Sequence, residues 1–242
     1  MSENKVKTVI ITGGAKRIGK HIALKLAYNG YDIALHYNRS KDEAENVKSQ
    51  IEEIGQKCEL FQADFSNMVE VSELIPVIVS KMSGCGLLIN NASVYHPGSF
   101  IDSDISFLRH QYQINFEVPY KLTQDFAKYV NSGHVINIID TKINHLSIDF
   151  FCYSLSKKSL YEFTKMAAKE LAPDIRVNGI CPGPILPPPG QGDEYLNKRA
   201  EILPLKKAGN PDLIAKTVLF LIDNYFITGE CIHVDGGEHL MS

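Results

Sequence analysis

Seven short runs rich in β-branched and other apolar residues, TVIITG, DIALHY, CELFQAD, GLLINNA, HVINIID, IRVNGICPG and ECIHVDGG, are spread along the chain. Between them lie amphipathic stretches such as IGKHIALKLAYNG, KDEAENVKSQIEEIG and LYEFTKMAAKELAP, where apolar residues recur at three- and four-residue steps until Gly or Pro ends the pattern. Strands that are apolar on both faces and alternate with helices indicate a parallel sheet covered on each side, because right-handed crossover helices pack back onto it. The expectation is an α/β chain with a doubly wound parallel sheet of about seven strands and helices on both faces. At 242 residues and 44% hydrophobic content, one domain over 1–242 is enough to enclose its core.

In such a sheet, ligands sit at the carboxyl ends of the strands, so the residues closing each run are where chemistry is sought. The first run passes through Gly13, Gly14 and Gly19. Glycines between a strand and a helix permit a tight turn that lets backbone N–H groups approach a pyrophosphate. The second run ends in LHYNRS, with Arg39 and Ser40 roughly 20 residues past the loop, where a carboxylate would hold the ribose 2′-hydroxyl of NAD. A guanidinium and a hydroxyl suit the 2′-phosphate of NADP instead, since arginine pairs with phosphate oxygens bidentately.

HVINIID closes on Asp140, and the next segment carries Tyr153 and Lys157. Four residues apart, these two share one helix face. An ammonium near a phenol favours the phenolate, so the pair is expected to bring the tyrosine down toward working pH and let it exchange a proton with a reacting atom.

Composition removes several alternatives. A net charge of −3 with both signs interspersed gives no basic face for nucleic acid. Cys58, Cys85, Cys152, Cys181 and Cys231 form no C-x-x-C pair, so neither a metal site nor a disulfide framework is expected. The N-terminal residues lack the regions of a signal peptide and no apolar run reaches membrane-spanning length, which leads us to expect a soluble cytoplasmic protein without a membrane partner. The segment from Pro182 to Asn210 is too rich in Pro and Gly for a core element, and is expected to be either a substrate loop over the cleft or a surface excursion.

TGGAKRIG, NNAS (Asn90 to Ser93), Asn115, Tyr153 with Lys157, CPG (Cys181 to Gly183) and ITGECIHVDGG together resemble the short-chain dehydrogenase/reductase family over essentially the whole chain. The resemblance implies a Rossmann fold, hydride transfer from NADPH, Tyr153 as proton donor, Lys157 on the nicotinamide ribose, Asn115 in a water relay, and a homotetramer. It also implies cofactor contacts from Gly13, Arg17, Ile18 and Gly19, from Tyr37, Asn38, Arg39 and Ser40, and from Asp64 and Phe65. Further contacts are implied from Asn91, Ala92 and Ser93, from Tyr153 and Lys157, and from Pro182 and Gly183.

The chain departs from the family pattern in a consistent way. Arg17 stands where a glycine is usual, Ser93 follows NNA, Tyr95 comes two residues later, and Asp140 replaces the serine ahead of the tyrosine. These features resemble the pteridine reductase branch, which includes dihydropteridine and dihydromonapterin reductases. By that resemblance Tyr95 stacks a flat pterin against the nicotinamide, Arg17, Ser93 and Asp140 hold its polar edge, and Tyr153 or an Asp140-linked water supplies the proton at nitrogen. A carboxylate at 140 accepts from an amino group or ring N–H, whereas it donates to a ketone oxygen only when protonated. An NADPH-dependent carbonyl or 3-oxoacyl thioester reductase is the alternative, and a non-catalytic NADP-binding sensor a weaker one because Tyr153 and Lys157 are both present.

Overall fold

The computed structural model describes residues 7–188 and 190–241. Seven strands, β1 (Thr8–Ile11), β2 (Asp32–Tyr37), β3 (Cys58–Gln62), β4 (Cys85–Asn90), β5 (Gly133–Ile138), β6 (Ile175–Pro182) and β7 (Cys231–Val234), form one sheet in the order β3-β2-β1-β4-β5-β6-β7. Every pairing is parallel. Strand order turns back between β1 and β4, and it is at such a switch point that the carboxyl ends open a crevice.

Because strand residues alternate sides, Val9 and Ile11 of β1 pack on one face while Ile10 packs on the other. The first face is covered by α1 (Arg17–Tyr28), α2 (Lys41–Glu53) and α8 (Pro211–Asp223), through Ile22, Leu26, Val47, Ile214 and Val218. The second carries α3 (Met68–Lys81), α5 (Val118–Tyr129) and α6 (Phe151–Leu171), through Ile75, Ile78, Leu122, Phe126 and Ala168. Each such aliphatic side chain contributes about 1.5–3 kcal/mol on full burial, so both layers hold the strand ends rigidly. Among the described residues no helix is long and apolar enough to cross a membrane.

Two local features lie beyond the sequence patterns. Between α4 (Ile105–Tyr112) and α5 the helix widens into one π turn, Gln113–Glu117, in which the Val118 N–H reaches back to Gln113 O. Pro119 supplies the reason: it has no N–H for the carbonyl four residues earlier, that of Asn115, and its ring crowds that carbonyl. The Pro-rich stretch, in turn, is not irregular throughout. Asp193–Ile202 forms α7, its span free of Pro and Gly, with Gly192 preceding the first turn.

Candidate active site

Asp140 follows β5 and caps a 3-10 turn, Thr141–Asn144: its Oδ1 accepts from the Lys142 N–H at 2.8 Å. The other oxygen, Oδ2, accepts from the Tyr153 hydroxyl at 2.6 Å. Tyr153 lies in the first turn of α6 and is 4% exposed. One turn on, Lys157 is 2% exposed, its Nζ donating to Ile138 O at 2.9 Å and sitting 5.9 Å from the Tyr153 ring centroid. Asp140, Tyr153 and Lys157 therefore meet at the carboxyl end of β5.

The electrostatics differ from what the four-residue spacing suggests. Burial raises the Tyr153 phenol well above its ordinary value, and the adjacent Asp140 charge and its hydrogen bond push it the same way. Lys157 moves in the opposite sense: burial lowers its ammonium to about 8, against the attraction of Asp140. The expected depression of the phenol by the lysine is thus reversed, since desolvation and a like charge outweigh an ammonium that spends its proton on a carbonyl. The resulting site holds a protonated phenol against a carboxylate.

Tyr95 forms the wall of this site. Its ring stacks on Phe150 with centroids 4.3 Å apart and planes 8° from parallel, and meets Tyr153 edge-on at 4.8 Å. Burial and the Asp140 charge raise the Tyr95 phenol beyond its ordinary range. Ser93 is exposed and donates to Asn115 Oδ1 at 2.9 Å, which leaves the hydroxyl lone pairs free to accept. Asn115 is fully buried; its Oδ1 also takes the Val94 N–H, and its Nδ2 reaches Val94 O, Gln111 Oε1 and Ser156 Oγ. Its side chain ties the Ser93 hydroxyl and the Val94 backbone to Gln111 of α4 and Ser156 of α6.

Arg17 is the first residue of α1. Held at a φ of 51°, it sends its guanidinium to Pro187 O at 2.9 Å, tying the first loop to the Pro-rich segment.

Several of the other sequence-selected residues line a cleft of about 460 Å³. Gly13, Ala15 and Lys16 line it, with Tyr37, Asn38, Arg39 and Ser40 from the end of β2, and Asp64 and Ser66 from the end of β3. Asp64 accepts from the Ser66 N–H and from Asn38 Nδ2, which hold its carboxyl below the ordinary range. The cap of α3 is Asn67, whose side chain accepts from the Val69 N–H. Phe65 is turned inward, its ring stacked on His36 at 4.1 Å and its carbonyl taken by Gln113.

A dinucleotide fits this framework on steric grounds. A Cβ on Gly19 would lie 2.3 Å from Gly13 O and 2.5 Å from Asn91 Nδ2, so the loop closes onto the β4 end only with glycine there. Asn91 Nδ2 donates to both Thr12 O and Gly13 O, and the Thr12 hydroxyl accepts from the Asn91 and Ala92 N–H groups. Starting α1 at Arg17 leaves the first N–H groups of the helix, including those of Ile18 and Gly19, without intrahelical acceptors, a suitable anion cradle. Arg39, exposed at the rim and near enough to Asp64 for its charge to help lower that carboxyl, presents its guanidinium where a phosphate would sit. At the far side, Gly183 follows Pro182 and donates to Val234 O; a Cβ there would strike Asp235 Cα at 2.6 Å.

Sequence reasoning missed Phe150, Thr12 and His36 as site-forming residues. His36 carried a signal, being a lone imidazole inside an apolar strand; Phe150 carried none, because its contact with Tyr95 is made only by the tertiary fold.

The family model described as Enoyl-(Acyl carrier protein) reductase matches residues 13–239. General stress protein 39 of Bacillus subtilis is 31% identical over 243 residues, covering 97% of this chain and 85% of that protein. A 3-oxoacyl-[acyl-carrier-protein] reductase FabG of Staphylococcus epidermidis is 31% identical over 250 residues, covering 97% and 99%. Among solved structures, FolM alternative dihydrofolate reductase 1 from Brucella suis in complex with NADP superposes with a TM-score of 0.92 at 36% identity, covering 97% of this chain and 95% of that one. The Brucella canis protein, complexed with NADP, gives 0.90 at 36% identity, covering 97% and 94%.

Proposed function

This chain belongs to the short-chain dehydrogenase/reductase family, and from that premise we propose that it is an NADPH-dependent reductase acting on a C=N bond of a dihydropterin-type ring. The observation that carries the substrate class is the Tyr153 hydroxyl held 2.6 Å from Asp140. A carboxylate in this place accepts from amino and ring N–H groups, which a pterin presents on one edge and a ketone lacks. The ring of Tyr95, backed by Phe150, offers a flat apolar face to a planar heterocycle.

NADPH, when bound, supplies the hydride. Arg39 and Ser40 hold its 2′-phosphate, the first loop and the start of α1 its pyrophosphate, and Lys157 the nicotinamide ribose. Tyr153, kept as a neutral phenol by burial and by Asp140, passes its proton to the ring nitrogen as that nitrogen gains charge, and Asp140 orients the hydroxyl. Ser93 accepts from the substrate's polar edge. A cytoplasmic homotetramer completes the reading, supported by family resemblance.

The relatives named as 3-oxoacyl-[acyl-carrier-protein] reductases support a second reading, an NADPH-dependent carbonyl reductase. Oxidation of NADPH followed at 340 nm separates the two: quinonoid dihydrobiopterin, dihydromonapterin and dihydrofolate are compared with an acetoacetyl thioester, and the best substrate is repeated with NADH. Turnover of pterins supports the first reading. Turnover of the thioester alone overturns it and leaves Asp140 as a replacement for serine without a substrate role.

A further inference from the structure

His36 lies on β2 beneath the dinucleotide cleft, 2% exposed, and both ring nitrogens are engaged. Nδ1 lies 3.1 Å from the Gly13 amide nitrogen, and Nε2 lies 3.0 Å from Ala63 O. A backbone N–H can only donate and a carbonyl can only accept, so the ring must be neutral, with its proton on Nε2 and a lone pair on Nδ1. The imidazole also lies flat on Phe65, with planes 3° from parallel. Its own backbone joins the same junction, because the Gly14 N–H donates to His36 O at 3.0 Å.

One side chain therefore links three parts of the cleft: the glycine loop after β1, the chain leaving β3 just ahead of Asp64, and the Phe65 ring. Gly13 sits at a φ of 62°, a left-handed conformation that its bond to Nδ1 holds in place. Resting on the reading that the cleft takes NADPH, we propose that His36 is a positioning residue for the pyrophosphate loop. It withholds the Gly13 N–H from the ligand and aims the later amides of the loop and of α1 at the phosphates. It acts through the backbone and touches neither cofactor nor substrate. Burial lowers the imidazole to about 4, in keeping with a ring that stays neutral in this role.

The test uses three variants and the free protein. Asn can place an acceptor where Nδ1 stands, Gln can place a donor where Nε2 stands, and Phe keeps only the ring stack. NADPH affinity is read by titrating the nucleotide's own fluorescence, alongside thermal melting without nucleotide. H36Q and H36F are expected to weaken NADPH about tenfold or more, with the loss falling on KM for NADPH rather than on kcat, while H36N stays within about threefold of wild type. Equal affinity of H36Q and wild type overturns the role, as do losses that merely track the melting temperature across all three variants.

The ring nitrogen resonances of the wild-type protein give a measurement independent of folding in the variants: a proton found on Nδ1 overturns the inference. Wild-type protein that binds no NADPH overturns the cofactor reading and the role with it. Intact wild-type binding with an unmoved H36Q overturns the role alone.

Discussion

Tyr153 Oη donates to Asp140 Oδ2 at 2.6 Å, joining a residue of α6 to the end of β5 thirteen positions earlier. Removing the hydroxyl removes the proposed proton donor while leaving the ring that packs edge-on to Tyr95. Tyr153→Phe is therefore expected to lower kcat for a dihydropterin by about 10²–10⁴-fold, with the Kd for NADPH almost unchanged. Stopped-flow single turnovers together with nucleotide titration check this, and a variant with wild-type turnover ends the assignment.

Asp140 tests the substrate class separately from the chemistry. Asp140→Ser restores the family's usual hydroxyl and removes an acceptor for substrate N–H groups. Dihydropterin kcat/KM is expected to drop by about 10-fold or more, the scale of a lost charge-assisted hydrogen bond of about 1.5–3 kcal/mol. Any acetoacetyl thioester activity is expected to hold or rise. Steady-state kinetics with both substrates decides it; pterin turnover that is unaltered would leave Asp140 with no part in recognition.

At the opposite end of the cleft, Arg39 carries the cofactor preference. Its guanidinium is exposed on the rim beside Asn38, Ser40 and Asp64, so its loss leaves the core intact. Arg39→Ala is expected to weaken NADPH by about 10- to 100-fold, again on the scale of about 1.5–3 kcal/mol for a charged hydrogen bond, and to leave NADH nearly untouched. The ratio of the two KM values is the readout. Equal losses for both nucleotides would remove the 2′-phosphate contact.

Much of this layout could be read before the coordinates, because the signals are local. DIALHY coincides with β2, and its carboxyl end is where Arg39 and Ser40 stand. Tyr153 and Lys157 share a face of α6 as their spacing requires. What escaped depends on depth and on distant contacts. Spacing places the lysine near the tyrosine but cannot show that both are buried, and burial decides the direction in which each one titrates. The stack of Tyr95 on Phe150 joins positions 55 residues apart through the folded loops. The π turn at Asn115 was legible in principle, since Pro119 stands four residues on, but only if the register of a helix there is already known.

The last prediction concerns acid stability. Burial lowers His36 to about 4 and His134 to about 3, with the Arg176 charge adding to the shift of His134. Both are nearly inaccessible to water, while in the unfolded chain a histidine titrates near 6.5. Below about pH 6.5 the unfolded chain binds protons that the folded protein refuses, so the stability due to these two rings is complete above that pH and is lost as the pH falls toward their folded values. Each contributes a loss of about 1.4 kcal/mol per pH unit across its window, on the order of 3 kcal/mol in total for His36 and on the order of 5 kcal/mol for His134. Guanidinium melts of the apoprotein at pH 7, 6, 5 and 4.5 measure the slope. Replacing His36 with Asn, which has no proton to take up, is expected to flatten the curve by about 1.4 kcal/mol per pH unit relative to wild type. Parallel curves for the two proteins would mean that the imidazole becomes charged inside the fold near its ordinary pH.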